Sequence, residues 1–222
     1  MEAARQADAP SVRVEPLAPV AFLPPAPPPV SAAPFEPFSL ALFRFGQSNR
    51  AAKEACDAIL SDPETRINPL TFIGAHGVGK THLIRGLAKE FKTRAPHVLY
   101  RSTEAYVNSF FGALKAKNVE AHRERFRDSD VLCLDDLQYL SGKPHAQDDF
   151  LFMTDSLLDK GARLIVTADA PVASLRIDQR IIDRLSAGVV VAINAPDVDA
   201  RLDMIDAFAL DERLCIEPAA RA

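Results

Sequence analysis

Residues 70–81 read LTFIGAHGVGKT, and no other stretch restricts the fold of this chain so strongly. Leu70-Thr71-Phe72-Ile73 is a short apolar run of the kind that fills a strand buried on both faces of a parallel sheet. Residues 74–81 then spell G-x-x-x-x-G-K-T, and Leu83, Ile84, Leu87, Ala88 and Phe91 recur at helical intervals. Strand, glycine loop and helix in that order are the setting of a phosphate-binding loop. Gly74, Gly77 and Gly79 let the backbone curl so that main-chain N–H groups, those of Val78 and His82 included, point inward at phosphate oxygens. The helix N-terminus adds unpaired donors and partial positive charge. Lys80 is expected to reach the β- and γ-phosphates of ATP, and the Thr81 hydroxyl to ligate Mg²⁺.

The rest of the chain suits such a loop. Beyond the glycine loop, apolar runs at residues 97–101, 131–134, 163–167 and 188–193 read as further strands separated by helical patterns. Helices are expected at residues 49–60 (capped by Ser48), from Ser102 or Thr103 to Leu114, and at 119–127, 148–158, 178–185 and 197–210, with Gly142 and Pro144 marking a turn. That alternation predicts an α/β fold, a P-loop NTPase with a five-stranded, mainly parallel sheet and flanking helices. Right-handed crossovers would bring the strand C-terminal ends to one edge, where ligands bind. The glycine loop, Asp135, Asp136 and residues 167–169 would then converge although distant in sequence. Asp135, directly after four apolar residues, is expected to hold Mg²⁺ beside Thr81. Asp136 would orient the attacking water, and its short side chain predicts slow hydrolysis.

Composition restricts the remaining choices. A net charge of −4 argues against a whole-surface nucleic-acid binder, though residues 115–127 carry five Lys/Arg against two acidic residues. That patch reads equally as a solvated helix face or as nucleic-acid contact. Cys56, Cys133 and Cys215 make neither a metal-ligand pair nor a disulfide framework, so a reducing cytoplasm is expected. No apolar run reaches membrane-span length, and the N-terminus lacks a signal peptide's basic start and apolar core. Residues 1–37 hold ten of the 17 prolines and read as an extended, disordered arm, with 38–210 as the nucleotide-binding domain and 211–222 as a tail.

Several blocks together resemble the ATPase domain of the bacterial replication initiator DnaA, an AAA+ family. They are GQSNRAA (46–52), NPLTFIGAHGVGKTHL (68–83), DVLCLDDLQYLSGK (130–143), LIVTADAP (164–171), DQRIIDRL (178–185) and AINAPDVDARL (192–202). The resemblance covers about three-quarters of the chain in unbroken order, and helicase loaders share much of it. It implies Walker A roles for Lys80 and Thr81, Walker B roles for Asp135 and Asp136, and the sensor 1 position for Asp169. Residues 43–49, Asn49 among them, fall beside the adenine. Arg180 and Arg184 match paired arginines that face a neighbouring subunit, Arg184 being the finger. Residues 102–127 match the helices that steer subunits into a filament, and Phe111, Lys143 and His145 the positions that contact single-stranded DNA; His145 stands where the family has arginine. Implied partners are further copies of the chain or a full-length initiator, acting in replication initiation or its control. Self-association driven by ATP is one reading; a regulatory or loader-type module that docks on a full-length initiator without its own turnover is the other. The family continues with a helical lid and a C-terminal duplex-binding domain, and Ala222 falls about where the lid would start. Weakened nucleotide affinity and no sequence-specific duplex binding are the corresponding expectations.

Overall fold

The computed structural model describes residues 38–62, 65 and 67–211. The arm expected over residues 1–37 and the tail from residue 212 lie outside the described residues. Five strands, β1 (Leu70–Ile73), β2 (Val98–Ser102), β3 (Val131–Asp135), β4 (Arg163–Ala168) and β5 (Val189–Ala192), form one sheet in the order β2-β3-β4-β1-β5. Every neighbouring pair is parallel, so all C-terminal ends share one edge. The helices are α1 (Arg50–Ser61), α2 (Lys80–Lys92), α3 (Thr103–Lys115), α4 (Val119–Arg127), α5 (Pro144–Asp159), α6 (Gln179–Ser186) and α7 (Val198–Asp211).

The central strands β1, β3 and β4 are largely apolar because both sheet faces are covered there, whereas the edge strands β2 and β5 are only partly buried. On β3, Val131 and Cys133 pack with Ile59, Leu83 and Leu87 of α1 and α2. Leu132 and Leu134 point the other way, to Tyr106, Phe150 and Leu157 of α3 and α5. Each fully buried Leu or Phe side chain contributes about 1.5–3 kcal/mol, so this three-layer arrangement fixes the register.

Local signals set most helix starts. The Ser102 hydroxyl accepts from the Ala105 N–H at 3.2 Å and caps α3 as expected. Two expectations need correction. Helix α5 begins at Pro144 rather than at Asp148: proline at the first helical position forfeits an N–H that would be unpaired anyway. Helix α1 begins at Arg50 with Asn49, not Ser48, at its cap position: the Ser48 backbone N–H and carbonyl bond to Asp197 and Asn194, and the Asn49 amide oxygen accepts from the Asn194 N–H rather than from the helix. Among the described residues no helix is long and apolar enough to cross a membrane.

Candidate functional site

The turn from β1 into α2 is bent by two glycines in the left-handed region, Gly77 (φ 81°) and Gly79 (φ 101°). Gly79 has a second constraint: a Cβ there would lie 2.8 Å from the Phe43 ring. Gly74 is needed for close approach, since its Cβ would meet the Ile193 carbonyl oxygen at 2.4 Å. Among the described residues, the main-chain N–H groups of residues 75–79 make no close, well-aligned bond to a backbone carbonyl, although residues 76–77 form a turn. The result is a nest of donors at a helix N-terminus, a concavity suited to a polyanion. Lys80 is buried, with its ammonium donating to the loop's own carbonyls at Gly74 (2.7 Å) and Ala75 (2.9 Å). It lies inside the loop whose phosphates it is expected to meet.

Strands β3 and β4 deliver the carboxylates. Asp135 is 2% exposed, and both its oxygens are engaged: Thr167 Oγ1 donates to Oδ1 at 2.5 Å and the Tyr100 phenol to Oδ2 at 3.0 Å. Burial pushes the Tyr100 phenol up to about 12, so it remains a proton donor at neutral pH. The Asp136 N–H donates to Thr167 Oγ1 at 2.9 Å, and the Asp136 Oδ1 accepts from Gln138 at 3.0 Å. Asp136 sits at φ 63°, a backbone position that aspartate tolerates better than most side chains do. Thr167 thus ties the two acidic residues to each other; its place in the converging segment was legible in sequence, its bridging role was not. Asp169 Oδ2 lies 3.7 Å from Nε2 of the exposed His76 ring, without a hydrogen bond between them. With Gly74, Val78, Pro171 and Ile193 it lines a cavity of about 290 Å³.

A second, smaller cavity (≈ 140 Å³) opens on the other side of the loop between Phe43, Asn49, Val78, His82, Pro196 and Met204. The segment before α1 forms its wall. His82 Nε2 hydrogen-bonds with the Ser39 carbonyl at 2.9 Å, and its ring lies edge-on to Phe38 and Phe43. The Asn49 amide oxygen accepts from the Asn194 N–H at 2.9 Å, so its side chain ties two walls together. Asp197 accepts from Ala200 and Ser48, which hold its carboxyl below the ordinary range.

Thr81, at the second position of α2, is half-buried. Its hydroxyl, the Asp135 carboxylate and the open donor loop are hard oxygen and anion-binding groups of the kind Mg²⁺ with a triphosphate requires. No cluster of three metal-ligating side chains exists among the described residues.

The arginines predicted to face a neighbour lie on α6, four apart and exposed. Arg184 pairs with Asp155 at 2.6 Å, and Arg180 with Asp178 (2.7 Å) and Asp148 (3.1 Å). Hydrogen bonds from the Arg180 side chain and backbone N–H pull the Asp178 carboxyl down to about 2. Phe111, Lys143 and His145 are not gathered into one contact. Phe111 packs on Phe110, Lys143 donates to the Tyr139 carbonyl at 2.5 Å, and His145 lines a groove with Phe110, Arg123 and Phe152.

One polar cluster escaped the sequence reading. Asp149 of α5, 2% exposed, accepts from the Tyr106 phenol and from Arg123 Nε, both at 2.7 Å, and faces His122 Nε2 at 3.7 Å. Helices α3, α4 and α5 are thereby locked together. His122 lacks ligand spacing in the sequence, and only the fold reveals why it is buried.

Comparison with known proteins places these residues in a family context. Residues 36–192 match the family described as the bacterial DnaA ATPase domain. The chromosomal replication initiator protein DnaA of Roseiflexus castenholzii is 34% identical over 170 residues, covering 75% of this chain and 35% of that protein. Its counterpart in Chloroflexus aggregans is 33% identical over 175 residues, covering 78% and 37%. The chain therefore spans little more than a third of these relatives' length. A replication initiator DnaA bound to AMPPCP and single-stranded DNA superposes with a TM-score of 0.77 at 28% identity, covering 83% of this chain and 58% of that one. Domain III of the Thermotoga maritima replication initiation protein DnaA gives 0.78 at 25% identity, covering 85% and 80%. The DnaC helicase loader, at 19% identity and a TM-score of 0.59, shares the fold.

Proposed function

Because the chain belongs to the bacterial DnaA ATPase domain family, we propose that it binds ATP with Mg²⁺, hydrolyses it slowly, and acts in the initiation of DNA replication or its control by assembling with other initiator subunits. The observation that carries this reading is the glycine-bent loop over residues 75–79, which leads into buried Lys80 at the same sheet edge that carries the Asp135–Asp136 pair. Phosphates seated there would draw Lys80 from the Gly74 and Ala75 carbonyls, exchanging two neutral acceptors for charged ones. Thr81 and Asp135 would hold Mg²⁺, which when bound neutralises charge on the phosphates. Asp136, its Oδ1 braced by Gln138, would orient water through Oδ2. The adenine would occupy the cavity between Phe43, Asn49 and His82, and Asp169 would approach from the end of β4.

Assembly in this reading runs through α6. Arg184 would exchange its exposed ion pair with Asp155 for the phosphate of a neighbouring subunit; solvent screens such a surface pair, so little is lost in the exchange. Phe111, Lys143 and His145 would offer contacts to single-stranded DNA, as the AMPPCP-bound relative carries such DNA. Sedimentation velocity tests the proposal: ATP with Mg²⁺ should drive self-association, ADP should not, and Arg184→Ala should abolish association while ATP still binds. Identical sedimentation in both nucleotides contradicts it. Capture of a full-length initiator by an Asp136→Asn variant in that case would assign a docking role without turnover.

A further inference from the structure

The protein grips the Asp135 carboxylate at both oxygens, and the two donors come from different strands. Thr167 belongs to the segment already placed at the sheet edge. Tyr100 does not: it lies on edge strand β2, registered opposite Cys133 and two residues before the Ser102–Asp135 pair. Strand periodicity puts its ring on the same sheet face as Asp135, against the core formed with Leu83 and Leu87. A phenol there is costly to desolvate without a partner, and Asp135 Oδ2 is that partner at 3.0 Å.

The ring itself is clamped. Arg85 reaches across from α2 with its guanidinium carbon 4.9 Å from the Tyr100 ring centroid and 4.3 Å from that of Phe38. A cation between two aromatic faces favours this one ring orientation. The Arg85 Nε is buried and makes no hydrogen bond among the described residues; the side chain is held by packing against the rings and by its interaction with the Tyr100 hydroxyl. Arg85 follows Thr81 by four residues and therefore shares its helix face. One face of α2 thus carries both the Thr81 hydroxyl and the clamp on the residue that grips Asp135.

We infer that Tyr100, held by Arg85, is a positioning residue that fixes the orientation of the Asp135 carboxylate toward a magnesium nucleotide at the P-loop. The inference rests on the ATP·Mg²⁺ reading above. Groups that orient a metal-binding side chain typically contribute ten- to a hundredfold to metal affinity. Thr167 remains as a second grip, so the effect of losing the phenol falls at about tenfold, the low end of that range.

Tyr100→Phe keeps the ring and the Arg85 stack and removes only the phenol. With the full chain and ATP, titrated Mn²⁺ read by electron paramagnetic resonance measures metal affinity in the protein–nucleotide complex directly. The variant should bind Mn²⁺ about tenfold more weakly, while it stays folded with a melting temperature lower by a few degrees, as the loss of one hydrogen bond to buried Asp135 requires, and binding of a fluorescent ATP analogue in EDTA stays at the parental value. Arg85→Gln should shift Mn²⁺ affinity in the same direction by a smaller factor. Parental Mn²⁺ affinity in Tyr100→Phe overturns the inference, and so does an equal loss of metal-free nucleotide binding. Should Tyr100→Phe not fold, parental affinity in Arg85→Gln overturns it instead. A parent chain that binds no ATP in Mn²⁺ removes the function itself, an outcome distinct from all of these.

Discussion

Replacing Thr167 by valine removes one hydroxyl at nearly constant volume, and that hydroxyl makes two bonds. It has no accessible surface, donates to Asp135 Oδ1 at 2.5 Å and accepts from the Asp136 N–H at 2.9 Å. A hydrogen bond to a charged group is worth about 1.5–3 kcal/mol, and Asp135, 2% exposed, cannot replace it with bulk water. Asp136 is half-buried, so its N–H regains part of its hydration and adds about 1 kcal/mol. The sum, about 3 kcal/mol, should lower the melting temperature by about 6–12 °C for a domain of this size. Thr167→Ser is the control, since it keeps the hydroxyl and loses a methyl group worth about 1 kcal/mol. Calorimetry or urea unfolding of the three proteins gives the ranking parent, serine, valine. Valine as stable as serine or more so would refute the idea that this hydroxyl ties the acid pair together.

The cluster around Asp149 makes two further predictions. Asp149→Asn removes the charge facing Arg123 inside a buried network, which should cost about 3 kcal/mol in urea unfolding and loosen α4 against α5. Stability should also fall as pH drops below neutrality. Burial, and to a lesser degree Arg125 and Arg123, lower the His122 pKa against the opposing pull of Asp149. The folded protein therefore binds a proton at His122 less readily than the unfolded chain, whose imidazole titrates near 6.5. The stabilisation is present above that value and lost progressively below it. A His122→Phe variant should show a flatter stability profile between pH 7.5 and 5.5, measured by urea midpoints; a profile as steep as the parent's would contradict this.

What could be read in advance depended on sequence distance. The glycine loop, the apolar strands and the Asp135–Asp136 step are signals within a few residues, and their physical causes are local: glycine geometry, two-sided burial, strand ends. The parallel sheet followed from strands alternating with helices. Contacts that join residues far apart left no such trace. Tyr100 on Asp135 spans 35 residues and Tyr106 on Asp149 spans 43, and each looks like an ordinary strand or helix aromatic until the sheet order is known. Asn49 reads as the first residue of a helix capped by Ser48, yet it precedes α1 and its amide oxygen accepts from the Asn194 N–H, 145 residues on. Pro144 looks like a turn and instead opens α5, a position where proline serves both purposes.

Isothermal titration with ATP and Mg²⁺, on the parent and on Lys80→Ala, tests the central claim that the loop after β1 cradles a triphosphate. The parent should bind one equivalent, and the variant, missing the charged donor now folded onto Gly74 and Ala75, should bind about ten- to a hundredfold more weakly with its fold intact. A folded parent that gives no heat and no shift in melting temperature with ATP, or a Lys80→Ala variant that binds like the parent, would contradict it.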